Sequence, residues 1–75
     1  MLPHDEVAPL RSWRLRKLLP IDALAALAGA SSRTVVDAEH GRHRIRLDTI
    51  RRLSDALGVR PEQVVEFRPW MGLVD

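Results

Sequence analysis

At 75 residues and 8.5 kDa, the chain is sized for one small domain and is too short for the clefts of most enzyme architectures. Hydrophobic residues make up 45 % and cysteine is absent. Disorder throughout, disulfides, thiolate metal sites and thiol nucleophiles are therefore excluded, and a small core must hold without staples. The absence of cysteine suits a reducing cytoplasm, which is the expected location. The longest apolar run, residues 23–28, is far too short to span a bilayer. Residues 1–9 hold acids and no lysine or arginine, unlike a signal peptide. No membrane contact is expected.

The predicted elements follow from proline and glycine punctuation and helical spacing. Residues 1–9 are read as an N-terminal arm, 10–67 as the folded domain and 68–75 as a short apolar C-terminal tail. Pro9 and Pro20 bracket a first helix in which Leu10, Trp13 and Lys17 share a face, with Trp13 as its core anchor. A second helix, about 21–28, repeats Leu24, Leu27 and Ala28 and ends at Gly29. A third, about 32–39, repeats Val35, Ala38 and Glu39 and closes at Gly41, with Ser31 as its N-cap. The fourth carries Leu47, Ile50, Leu53 and Leu57 along one stripe and ends at Gly58. Pro61, Val64 and Phe67 read as a short fifth helix. Nothing alternates long enough to be a strand. Two helices joined by a short turn containing Gly29 form a helix-turn-helix unit, although any helical hairpin with a glycine can mimic that pattern.

The net charge of +2 is unevenly spread. Arg11, Arg14, Arg16 and Lys17 cluster in the first helix with no acid among them. Residues 31–52 hold Arg33, Arg42, Arg44, Arg46, Arg51 and Arg52 against Asp37, Glu39 and Asp48. Two basic segments between acidic ends suggest a polyanion partner; the plainer reading is a solvated face. One Phe, two Trp and no Tyr leave little for stacking single-stranded bases. His4, His40 and His43 lack metal-ligand spacing and no cysteine supports them, so no metal or cofactor is expected. No catalytic constellation is visible, since Ser31, Ser32 and Ser54 have no His/Asp partner by spacing.

In the order Leu24-Ala25, Gly29-Ala30-Ser31, Arg33-Thr34-Val35, Glu39-His40-Gly41, Leu47-Asp48-Thr49-Ile50, Ala56-Leu57-Gly58-Val59 and Pro61-Glu62-Gln63-Val64, the chain resembles the phage-repressor-like (Cro/XRE type) helix-turn-helix family. The match in spacing runs without gaps from Leu10 to Phe67. The resemblance implies an all-α, five-helix bundle of the lambda-repressor-like type that binds duplex DNA, usually as a dimer, and regulates transcription. It also implies that the third helix enters the major groove. Ser32, Arg33 and Asp37 match its base-reading positions, and Val35 and Ala38 its buried face. Arg14 and Glu39 match an ion pair tying helix 1 to the end of helix 3. Arg42 and Arg44 match positions that approach phosphates.

Helical geometry divides the third helix in the same way, with residues 32, 33, 36 and 37 on one side and 35, 38 and 39 on the other. The candidate DNA-binding set is Ser31, Ser32, Arg33, Thr34, Val36, Asp37, Arg42, His43 and Arg44. Arg33 offers a fork for guanine, or a pair with Asp37 one turn on. Val36 is read as a contact for a thymine methyl or as a protein interface. The chain departs from the family at Ile21, where a glutamine often meets phosphate, and at Pro20, Arg46 and Arg60, where Ser or Thr often caps helices. Leu15 and the tail residues Trp70, Met71, Leu73 and Val74 are apolar without an assigned place, and the tail is expected to dimerise or dock on its own core. A homodimeric DNA-binding regulator is the reading. The alternative is a protein-interaction module on the same fold, such as the antitoxin of a toxin–antitoxin pair.

Overall fold

The computed structural model describes residues 6–42 and 44–72; His4, His43, Leu73 and Val74 lie outside them. Four α-helices run in chain order: α1 Leu10–Arg16, α2 Ile21–Ala28, α3 Ser32–His40 and α4 Leu47–Leu57. Two 3-10 helices follow, η1 Pro61–Gln63 and η2 Val65–Met71. No strand occurs among the described residues, although Ala8 and Val64 form an isolated parallel bridge. No helix among them is long and apolar enough to cross a membrane.

The core is continuous from α1 to η2. Leu10, Leu24, Val35, Leu53, Leu57, Val64 and Phe67 are fully or almost fully buried, with Ala25, Ala28, Ala38, Ile45 and Ile50 filling between them. Helix α2 is central and packs on both α3 and α4. Its inward positions include Ala25 and Ala28, whose small side chains let the neighbouring helices approach. Each large aliphatic side chain buried here contributes roughly 1.5–3 kcal/mol.

Three expectations are corrected. Leu27 is 63 % exposed and Leu47 68 % exposed, so neither belongs to the core stripe. In α2 the buried face centres on Leu24, Ala25 and Ala28, one position away from Leu27. Leu47 is the first residue of α4 and projects beyond the layer that Ile50, Leu53 and Leu57 fill. Trp13 is only partly buried and packs at the margin; Leu10 is the α1 side chain at the centre. The indole is held by its polar edge instead, with Nε1 donating to the Gln63 carbonyl at 2.8 Å.

The expected fifth helix is split in two. Val64 is extended (φ −107°, ψ 118°) because residues 6–9 run alongside it. Ala8 N donates to Gln63 O at 2.9 Å, and Val65 N donates to Ala8 O at 3.0 Å. Residues 6–9 are thus part of the packed unit, and Ala8 is buried. Beyond Val64 the 3-10 helix η2 continues through Pro69 to Met71, past residue 67, where the folded domain was expected to end. The closing exposed pair Glu6–Arg16 has two hydrogen bonds, at 2.9 and 2.5 Å. The Arg16 hydrogen bond holds the Glu6 carboxyl below its ordinary value, against the smaller opposing effect of burial. The stability this pair adds is present above the usual carboxylate range and is lost as pH falls through the lowered value.

Helix ends show where sequence and backbone agree. Gly29 (φ 65°) and Gly41 (φ 62°) take the left-handed conformation that ends α2 and α3. After α1 the same position is held by Leu18, at φ 56° and 88 % exposed. Leu19 N then reaches back to Arg14 O at 3.2 Å, as in a glycine-terminated helix. A leucine there is strained by about 1 kcal/mol. Leu18→Gly is expected to raise stability by somewhat less than that, about 0.5–1 kcal/mol, measured by urea unfolding. Ser54 is fully buried in α4, and its Oγ has no hydrogen-bond partner among the described residues. Ser54→Ala removes that unpaired hydroxyl and is expected to stabilise by about 1 kcal/mol. In a domain of this size that is about 4–8 °C in a calorimetric melt.

Candidate nucleic-acid interface

Helix α3 is nine residues long and has only Val35 and Ala38 buried. A helix of that length is marginal in water, so its ends and flanks must hold it. Ser31 supplies the N-cap, its Oγ accepting from Thr34 N at 3.1 Å and lying 2.8 Å from Thr34 Oγ1. Ser32 Oγ donates to Asp22 Oδ1 at 2.5 Å, which pins the start of α3 to the first turn of α2. At the other end Gly41 N donates to Ala38 O and Arg42 N to Asp37 O, closing the helix and releasing the chain toward α4.

The strongest fixture is Arg14 with Glu39. Arg14 Nε donates to Glu39 Oε2 at 2.5 Å and Nη2 to Oε1 at 3.3 Å. Nη1 donates to the Leu19 carbonyl at 2.9 Å. The two side chains are 8 % and 7 % exposed. One guanidinium therefore joins α1, the α1–α2 link and the C-terminal turn of α3.

Arg33 and His40 are exposed on α3, and Val36 and Asp37, which share a side with Arg33, are partly exposed. The Arg33 side chain is 76 % exposed and pairs with Asp37, Nε to Oδ1 at 3.2 Å. An exposed i,i+4 pair is worth about 0.3–0.5 kcal/mol, less than the roughly 1–3 kcal/mol of discrimination a bidentate contact with guanine supplies. A pair of that strength holds Arg33 only loosely. Thr34 and Ser32, by contrast, already use their hydroxyls within the protein. His40 Nδ1 lies 2.8 Å from the Val36 carbonyl.

The loop after α3 extends the positive surface. Ile45 is buried and anchors it, which leaves its neighbours Arg44 and Arg46 exposed on either side. Arg42 is exposed and has no ion pair among the described residues; Arg46 is loosely paired with Asp48 at 3.6 Å. Arg44 lies over the Trp70 ring, 6.0 Å from its centroid. A cleft of about 190 Å³ between α3 and this loop is lined by Thr34, Asp37, Ala38, Arg44, Ile45, Arg46 and Thr49. Helix and loop thus present one continuous surface that carries more positive than negative charge.

The helix-turn-helix domain family matches residues 7–67. The chain belongs to that family. The match includes Val7, Ala8 and Pro9, of which Ala8 is hydrogen-bonded to Gln63 and Val65. It agrees with the Cro/XRE-type resemblance and with the all-helical bundle, and it makes the protein a DNA-binding regulator in general terms. No curated protein and no solved structure matches the chain.

Sequence reasoning missed several fixtures of this surface. The Ser32–Asp22 bond joins residues ten apart, and Ile45 sits in a stretch without periodicity. Arg52 Nη1 lies 3.4 Å from the Gly29 carbonyl, at the turn of the helix-turn-helix unit. Asp22 in the first turn of a helix beside a serine that opens the next is a signal that could have found the first of these. Glu39→Gln is expected to cost about 3 kcal/mol, because it leaves a buried guanidinium without its counter-charge. Chemical denaturation of the variant and parent measures it, and an unchanged unfolding midpoint would sink the structural role given to this pair.

Proposed function

We propose that the protein is a sequence-specific duplex-DNA-binding transcriptional regulator. In this reading it acts in the cytoplasm without catalysis, binds as a homodimer and reads the major groove with α3. One observation carries the reading. Arg33 stands outward and loosely held on a helix otherwise fixed at both ends, flanked by Arg42 and Arg44. Arg33 is assigned to guanine, and Asp37 to the amino group of a neighbouring cytosine once Arg33 turns to the base. Val36 is assigned to a thymine methyl. Arg42 and Arg44 are assigned to phosphates, with His43 beside them in sequence. Ser31, Ser32 and Thr34 set the helix entry, where backbone N–H groups and the helix dipole favour a phosphate.

The second reading is a protein-interaction module with subordinate DNA binding, such as an antitoxin. The exposed leucines Leu15, Leu18 and Leu27 favour it. Selection of bound sequences from a random duplex pool separates the two, since a module with subordinate DNA binding enriches a motif weakly or not at all.

Two measurements test the first reading. Affinity for duplex DNA should fall steeply with salt, and Arg42→Ala should weaken all sequences alike while reducing the log–log salt slope by about 1. Arg33→Ala should cost roughly 1–3 kcal/mol on the selected sequence and relax the preference for one base pair per half-site. If Arg33→Ala weakens every sequence equally, Arg33 is only a phosphate contact. If it changes nothing, α3 does not enter the groove.

A further inference from the structure

An open groove of about 820 Å³ runs between α1, the end of α4 and η1. None of the residues that line it belongs to the candidate DNA-binding set. Trp13, Leu57 and Val59 give it apolar walls. The polar edge of the indole is already used on the Gln63 carbonyl, so Trp13 offers the groove only ring surface.

Two polar groups of the groove have no partner. Ser54 lines it and is fully buried, and its Oγ has no hydrogen-bond partner among the described residues. A buried hydroxyl left unpaired costs free energy and calls for an explanation. Lys17 lines the groove as well, and its ammonium has no hydrogen bond or ion pair among the described residues. The other charges at the groove are met. Arg16 is paired with Glu6, Arg60 with Glu62 at 3.2 Å, and Asp55 loosely with Arg51 at 3.9 Å. What remains is one uncompensated cation and one orphan hydroxyl on either side of an apolar surface, the composition of a small-molecule site.

We infer that this groove binds a small aromatic carboxylate that carries a hydroxyl at the far end of its ring. The carboxylate meets Lys17, the ring lies against Trp13, Leu57 and Val59, and the ring hydroxyl pairs with Ser54. The spacing selects a ligand of this length. Lys17 Nζ lies 3.9 Å from the point where a Cβ would stand on Gly58. Ser54 precedes Gly58 by four residues, so the two positions share one face of α4, about 5–6 Å apart. That is the span of one para-substituted benzene ring. A ligand lacking the hydroxyl leaves Ser54 unpaired, and one lacking the charge leaves Lys17 uncompensated. The inference does not use α3 or the DNA reading, and its test contains no DNA.

Titration of the isotope-labelled full chain with para-hydroxyphenylacetate, followed by the N–H resonances, tests it. The Gly58 amide and the Trp13 indole signals should move together and saturate, with a Kd in the low millimolar range expected for so small a ligand. The Arg33 and Gly41 amides on the far element should stay in place. Phenylacetate should bind about two- to tenfold more weakly, by the loss of one hydrogen bond. The neutral para-hydroxyphenylacetamide should bind about two- to fivefold more weakly, by the loss of an exposed ion pair. Ser54→Ala should erase the first preference and Lys17→Met the second, each leaving the other in place. Both variants should melt no lower than the parent, since one removes an unpaired hydroxyl and the other alters an exposed side chain. Absence of saturable movement at Gly58 and Trp13 overturns the inference. So does equal affinity of the parent for the hydroxylated and plain acids, which would assign Ser54 to an ordered water only. A preference that survives its own variant overturns it too, because the group concerned then binds elsewhere.

Discussion

The position of α3 depends on a single buried ion pair. All three guanidinium nitrogens of Arg14 are engaged, two on Glu39 and one on the Leu19 carbonyl. A buried pair of this kind adds little net stability over a well-packed apolar pair, but loss of one partner costs about 3–5 kcal/mol. Its effect is therefore on geometry. Helix α3 meets the core through Val35 and Ala38 alone, two small side chains that resist sliding poorly. A planar fork on a carboxylate has one preferred orientation, and it fixes the end of α3 against α1.

The rest of α3 follows from the need to keep one face unburied. A helix that gives up half its surface to solvent loses the packing that usually stabilises helices. Here local bonds offset that loss. Ser31 caps the first turn, Ser32 bonds to Asp22 on α2, and Gly41 closes the last turn. None of these uses the outward positions 33, 36 and 37 for packing. Stability and exposure are thus assigned to different residues of the same nine-residue element.

Local rules made much of this legible. Gly29, Gly41 and Gly58 marked three helix ends because a left-handed residue is cheapest as glycine, and Ser31 marked a start because its hydroxyl reaches the N–H three residues on. Periodicity found the right helices but misassigned Leu27 and Leu47. It cannot tell which of two adjacent faces meets the core, or how far the core extends along a helix. The fifth element failed for a different reason. Val64 is extended because Ala8 pairs with it from 56 residues away, and Leu10 N is capped by Glu66 Oε1 at 2.8 Å over the same separation. No local pattern reports bonds of that span. The contact of Arg14 with Glu39 also lies beyond periodicity; family resemblance alone pointed to it.

The arginines can be sorted by what each would give up to meet a polyanion. Arg14 is buried and fully bonded, so moving it would strand Glu39. Arg16 is held in two hydrogen bonds by Glu6 and covers the Trp13 ring at 4.7 Å from its centroid. Arg33 gives up one exposed pair of a few tenths of a kcal/mol. Arg42 gives up no ion pair among the described residues, and Arg44 only a contact at the outer limit of cation–π distance. Ranked in this way, the loosely held charges fall together on α3 and the loop after it, while the firmly held ones lie on α1. Net charge alone could not have shown this, because α1 is the more basic segment in sequence. The distinction comes from the carboxylates that the fold brings to α1, Glu39 from α3 and Glu6 from the segment before it. Folding thus engages Arg14 and Arg16 of the first cluster, leaves Arg11 and Lys17 of it exposed, and leaves Arg33, Arg42 and Arg44 loosely held on the other face.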